Sequence, residues 1–170
     1  MKKLFALSII VFAFAASAFS QATATATATI VTPITISKTG TDLSFGNIIS
    51  SATSTGTVAV APNGTPTYSN VTASATPSAT AAVTAAVFTV TGTPNATYSI
   101  TLPTSDVTLT GPGSVTMTAN AFVSDPTPTG QLSSPGGTQI LRVGATLHVG
   151  INQAAGTYTS APFTVTVNYN

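Results

Sequence analysis

The last fifteen residues of the chain, Gly156–Asn170, alternate almost without a break. Phe163, Val165, Val167 and Tyr169 fall on one parity, and Thr164, Thr166, Asn168 and Asn170 on the other. A side-chain period of two belongs to a β-strand with one buried face. This strand is expected to run to the final residue, with an aromatic next to last. A strand at a chain terminus is well placed for another molecule to grip it or to add a strand beside it, which directs attention to edges rather than pockets.

The other end of the 170-residue chain reads differently. Met1-Lys2-Lys3 is basic, Leu4 to Ala16 is almost wholly apolar, and small residues follow at Ala16, Ser17, Ala18 and Ser20. Charge, short apolar run and small-residue exit describe a secretory signal peptide over residues 1–20. Cleavage is expected after Ala18 or Ser20; Ser20 is preferred and leaves Gln21 first. The apolar run is too short for a membrane span, and no later stretch is long enough for one. Export to the periplasm, the outer surface or the medium is the expected localisation. The remaining length suits one domain. With no cysteine, that domain has no disulfide and must be held by apolar burial.

Charge is almost missing beyond the leader. Lys38 and Arg142 face Asp42, Asp106 and Asp125, and glutamate does not occur. Nucleic-acid binding requires a basic surface to neutralise phosphates, so no nucleic-acid partner is expected. Low charge with high β-propensity instead favours association between strands of different molecules.

Residues 21–29 form an Ala/Thr-rich arm, and residues 30–170 the expected domain. Ala22, Ala24, Ala26, Ala28 and Ile30 share a parity that continues through Ile34 and Ile36. Ile30–Ser37 reads as a strand, and Ala22–Thr29 as an extended segment ordered only when paired, the alternative being a disordered Thr-rich linker. Further short apolar runs are separated by Gly, Pro and Asn: Leu43–Phe45, Gly56–Val60, Tyr68–Ala75, Val87–Thr91, Tyr98–Leu102, Val107–Thr110, Ser114–Val123, Ile140–Val149 and Tyr158–Tyr169. Asp125–Gly137 reads as a long loop. No apolar pattern of helical period with caps follows the leader. Many short strands at this spacing indicate an all-β fold, a single antiparallel β-sandwich.

Residues that carry chemistry are scarce. His148 is the only histidine, and its parity on its strand is opposite to that of Leu147 and Val149, which turns it to solvent. One His and three dispersed Asp residues make no metal site. Nucleophilic catalysis needs a base and an orienting acid beside the nucleophile, and no Gly-x-Ser-x-Gly elbow occurs. Gly111-Pro-Gly113 and Gly136-Gly137 read as turns rather than phosphate loops. Asn63, Asn70 and Asn95 each begin an Asn-x-Thr triplet and read as turn residues. A non-enzymatic protein with no cofactor, no metal and no catalytic residue is expected.

Ile30-Val-Thr-Pro-Ile-Thr-Ile36, Leu43-Ser-Phe-Gly46, Gly56-Thr-Val58, Phe88-Thr-Val-Thr-Gly92, Tyr98-Ser-Ile-Thr-Leu-Pro103, Gly144-Ala-Thr-Leu-His-Val149, Gly156-Thr-Tyr158 and Val165-Thr-Val-Asn-Tyr169 together resemble a family of bacterial exported proteins filed as domain of unknown function 4402. A weaker resemblance joins both ends of the chain to spore-coat-U-like pilin subunits of chaperone–usher systems. Those subunits carry an Ala-rich alternating arm, an early Leu-x-Phe-Gly and a final alternating strand with a penultimate aromatic and a glycine fourteen positions before the end. Here Tyr169 and Gly156 hold those two positions. The resemblance implies an immunoglobulin-like sandwich short of one strand, completed by a neighbour's arm in a Gram-negative surface fibre or fimbria. Ala22, Ala24, Ala26, Ala28 and Ile30 would be the donor arm, and Gly156, Phe163, Val165, Val167 and Tyr169 the strand met by a periplasmic chaperone, an usher or a second copy. Such pilins usually carry a disulfide and bulkier donor residues; this chain has neither. The arm could therefore fill a shallow groove, bind weakly, or be the first strand of a complete sandwich. The other reading of function is a self-complete periplasmic or surface binding module that holds a ligand through loops such as Asp125–Gly137.

Overall fold

The computed structural model describes residues 21–74 and 82–170. The leader, 1–20, lies outside the described residues, as does Ala75 at the end of one expected strand. The chain divides into two units, Met1–Ile30 and Val31–Asn170. In the first, residues 21–30 are exposed and belong to no strand. Ile30 is 99% exposed.

The second unit is built from short strands rich in Val, Thr, Ile and Tyr, residues that suit a pleated, half-buried surface. In chain order these are β1 Thr35–Lys38, β2 Ser44–Phe45, β3 Ile48–Ile49, β4 Gly56–Val60 and β5 Pro66–Ser69. Then come β6 Thr72–Ala73, β7 Val83–Thr84, β8 Ala86–Thr91, β9 Thr97–Thr101 and β10 Val107–Thr110. A single 3-10 turn, Pro112–Ser114, precedes β11 Thr116–Asp125, β12 Thr129–Gln131, β13 Thr138–Val149, β14 Thr159–Ser160 and β15 Thr166–Tyr169. The turn residues behave as their chemistry dictates. Asn70 and Asn95 adopt φ of 54° and 63°, a region that asparagine tolerates. The Asn63 carboxamide oxygen accepts the Thr65 N–H at 2.9 Å.

The strand pairs are antiparallel, and the described fold is an all-β sandwich. The main sheet runs β1-β8-β13-β11-β10-β14, with β4 also on β13 and β5 on β4. β13 is its centre. Its first half pairs with β8 and its second half with β4 along one side, while β11 runs along the other. The join between β8 and β4 falls at Gly144, where a Cβ would run into the Val60 carbonyl; only glycine lets the backbones meet. β11 carries a bulge between Asn120 and Val123, with Ala121 at φ 49°. A bulge of this kind re-aims a side chain, here Phe122, which touches both apolar clusters and meets the Phe163 ring at 5.1 Å between centroids.

The inward row of β13 founds both clusters. Leu141 and Val143 join Ala86, Val90, Tyr98, Leu132, Val165 and Val167. This cluster is roofed by the second sheet, β12-β9-β15. Ala145, Leu147 and Val149 join Phe45, Val58, Val60, Val71 and Ala119. Among the described residues, the cover over that cluster is two short ladders, β2–β7 and β3–β6, so the described part of that half is the more thinly roofed.

Four segments differ from their sequence expectation. Pairing after the arm starts at Thr35, not Ile30, because Pro33 has no N–H to give a ladder; Ile34 and Ile36 still pack on the second-sheet cluster. Tyr68–Ala75 breaks at Asn70 into β5 and β6. Tyr158–Tyr169 is two strands in different sheets, split at Ala161-Pro162. The loop Asp125–Gly137 contains β12, which pairs with β9 and leads to buried Leu132.

Leu141→Ala removes a fully buried side chain and should lower the unfolding free energy by about 2–5 kcal/mol. Gly144→Ala should cost about 1–3 kcal/mol through overpacking. Urea titrations measure both. Burial raises the Tyr98 phenol above its ordinary value of 10.0. Between the unfolded and folded values the native state holds the proton that the unfolded state has lost, so this contribution is complete below pH 10 and fades as pH rises above it. Urea midpoints should therefore fall more steeply above pH 10 in the natural chain than in Tyr98→Phe.

Candidate functional site

β15 lies at the edge of its sheet, bonded to β9 alone. The Asn170 N–H donates to the Thr97 carbonyl at 3.3 Å, and Asn168 stands opposite Ser99 and Thr166 opposite Thr101. Antiparallel residues alternate between facing the partner and facing away. Thr166, Asn168 and Asn170 therefore face β9, and the backbone groups of Val167 and Tyr169 point outward along an open edge. Such edges are ordinarily blunted by charge, proline or bulges; Thr-Val-Asn-Tyr carries none of these. Inward, Val165 and Val167 are buried, and Phe163 and Tyr169 pack beside them.

Tyr169 does more than fill space. Its Oη donates to the Thr32 carbonyl at 2.7 Å and accepts the Thr93 N–H at 2.7 Å. Thr93 Oγ1 also donates to the Thr32 carbonyl, at 3.3 Å. Gly92 makes room, since a Cβ there would strike the phenol oxygen. The end of the chain is thereby clasped to the point where residues 31–34 enter the domain. β1 and β15, which belong to different sheets, come into contact at this corner.

Gly156 is not brought to that strand. It sits at φ +147° in the turn before β14, where a Cβ would collide with Pro112. Ala22, Ala24, Ala26, Ala28 and Ile30 are all exposed and outside strands.

On the outer face of the main sheet His148 is exposed, as its parity implies. Its Nε2 lies 2.8 Å from Asn120 Oδ1, and Asn120 Nδ2 donates to Asp106 Oδ1 at 3.0 Å. This is a surface polar chain that ties β13, β11 and the turn before β10. Among the described residues no three His, Cys, Asp or Glu gather to hold a metal, and no helix is long and apolar enough to cross a membrane.

The second feature, which no sequence pattern announced, is a groove of about 820 Å³ at the thinly roofed half. Its floor includes Leu109, Met117, Leu147 and Val149, and its rims carry Ile49 and Tyr158. The lining includes no charged side chain. It forms because the residues that face it come from strands far apart in the chain, a property that local periodicity does not encode. The same is true of the clasp, whose partners Thr32 and Tyr169 are 137 positions apart.

The chain belongs to the family described as Domain of unknown function (DUF4402), whose model matches residues 34–169. The match takes in β1 through Tyr169 and leaves the Ala/Thr arm outside. No curated protein and no solved structure matches the chain.

Tyr169→Phe deletes both phenol hydrogen bonds, strips the Thr93 N–H of its partner and leaves the Thr32 carbonyl with the longer bond from Thr93 Oγ1. A loss of about 1–3 kcal/mol is expected, read as a lower urea midpoint with an unchanged slope.

Proposed function

We propose that the protein is an exported, non-enzymatic structural subunit that assembles into a surface fibre by strand addition. One copy donates its Ala22–Ile30 arm, and β15 is the edge on which a chaperone or neighbouring strand pairs during assembly. The observation that carries this reading is the coexistence of an unpaired, alternating, fully exposed arm with the uncharged open edge of β15 in the same chain. Strand addition satisfies backbone groups and side-chain pockets together, and a head-to-tail contact that does not close grows into a filament. The weak likeness of both chain ends to chaperone–usher pilins, and the leader-like residues 1–20, support the same reading. A second reading, a self-complete surface module that holds a ligand, is favoured by the 820 Å³ groove; in it the arm plays no part in assembly.

The purified chain should sediment as a ladder of oligomers that grows with concentration and time. Removing residues 21–29 should leave a folded monomer with no ladder. A natural chain that stays monomeric at high concentration, with sedimentation and unfolding indifferent to that deletion, would sink the fibre reading.

A further inference from the structure

We infer that the hollow beside His148, on the outer face of the main sheet, is a binding site for a neutral oligosaccharide. It involves neither the arm nor β15, so it goes beyond the fibre reading without resting on it.

The hollow holds about 380 Å³, within the range of small-molecule sites, roughly 300–1,000 Å³. It is lined by β4, β5, β11, β13 and the turns beside them; β6 and β7, the strands that residues 75–81 join, contribute none of its lining. Strand register builds its face. His148 stands opposite Thr118 on β11 and Thr57 on β4, and Thr57 stands opposite Ser69 on β5. Residues directly opposite one another share one side of a sheet, so three hydroxyls and an imidazole form a single row. Three strand spacings of about 4.8 Å make that row about 14 Å long, the reach of a short sugar chain. Each hydroxyl can both donate and accept, and among the described residues none of the three has a protein partner. Met117 and Val149 also line the hollow and offer apolar contact to the C–H side of a sugar ring. No Lys, Arg, Asp or Glu lines it, so a charged ligand would lose water there and gain no counter-charge.

The polar chain behind this row fixes what His148 presents. The Asp106 carboxylate accepts from Asn120 Nδ2 at 3.0 Å. Asn120 therefore turns its carboxamide oxygen, an acceptor, to His148, and the 2.8 Å contact requires the ring to donate from Nε2. In the neutral ring Nδ1 is then an acceptor, ready for a ligand hydroxyl. The walls are held as well. Gln153 Oε1 accepts the Gly150 N–H at 3.1 Å, and its Nε2 donates to the Thr116 carbonyl at 3.2 Å and to Tyr158 Oη at 2.9 Å. Asn70 Nδ2 donates to the Thr55 carbonyl at 3.3 Å. Side chains fixed before binding lose little freedom on it. A site of fixed hydroxyl, amide and imidazole groups selects its ligand by the pattern of the ligand's own hydroxyls.

Equilibrium dialysis of the full-length chain against radiolabelled xylotriose, cellotriose, maltotriose and chitotriose reads binding whatever the state of assembly. At least one of these sugars should be retained, with a Kd of about 1 mM, since no aromatic ring other than the imidazole lines the hollow. Thr57→Val and Thr118→Val, which exchange a hydroxyl for a methyl, and His148→Ala should each weaken retention about tenfold, the loss of one hydrogen bond, with urea midpoints unchanged. Where a midpoint falls, Ser69→Ala at the exposed end of the row supplies the same comparison. Trigalacturonate, a charged sugar of the same length, should not be retained. Nitrogen NMR shifts of the free chain should place the proton of the neutral His148 ring on Nε2. Retention of none of the neutral sugars, retention indifferent to every substitution, equal retention of trigalacturonate, or a proton on Nδ1 overturns the site. Each of these results leaves the fibre reading as it stood.

Discussion

The fold depends on one strand. β13 supplies an inward row of Leu141, Val143, Ala145, Leu147 and Val149 to both apolar clusters, and its two edges carry β8, β4 and β11. It is the place where the chain, lacking any disulfide, is stitched across its whole length. Gly144 is the condition for this arrangement, because two different strands must follow one another along a single edge with no side chain between them. The bulge opposite, at Ala121–Phe122, answers that crowding and sends Phe122 into the seam between the clusters. Apolar burial at about 25 cal/mol per Å², concentrated on this row, is what replaces covalent staples.

Unequal roofing follows from the same arrangement. β12, β9 and β15 cover the half of β13 that pairs with β8. Among the described residues, the half that pairs with β4 receives β2–β7 and β3–β6, two-residue ladders beside the groove. A chain with abundant charge would protect such a surface and its edges with Lys and Asp. Here β5, β12, β14 and β15 carry no charged residue, and the ion pair of the described residues, Lys38 with Asp42, is an exposed neighbour pair on one segment, of small energetic weight. These edges and the groove lining therefore present neutral surfaces.

Much of this was legible in the sequence wherever the signal was local. Period-two alternation placed the inward faces of β4, β8, β13 and β15, and the parity of His148 put it in solvent. The all-β sandwich followed from the number and spacing of the runs. What local pattern did not carry was set by pairing over distance. The apolar parity of Ile30 continues through Ile34 and Ile36 with Thr32 as its exception, yet Pro33 delays the ladder to Thr35. Thr159–Ser160 and Thr166–Tyr169 share a segment by pattern, yet they lie in different sheets on either side of Pro162, which also parts Gly156 from Tyr169. Thr129–Gln131 looks like loop because Pro and Gly surround it, yet β9 recruits it. The Thr32–Tyr169 clasp and the groove exist only once remote strands meet.

In the fibre we propose, the uncharged alternating arm gains its order from another copy. Hydrogen exchange on the chain before and after assembly tests this most directly. The account predicts that amides of β13 between Leu141 and Leu147 exchange only through global unfolding in both states, while those of Ala22–Ile30 exchange at the rate of unstructured peptide in the monomer and become protected in the assembly. Arm amides that remain at the unstructured rate in assembled material, or that are already protected in the monomer, would contradict it.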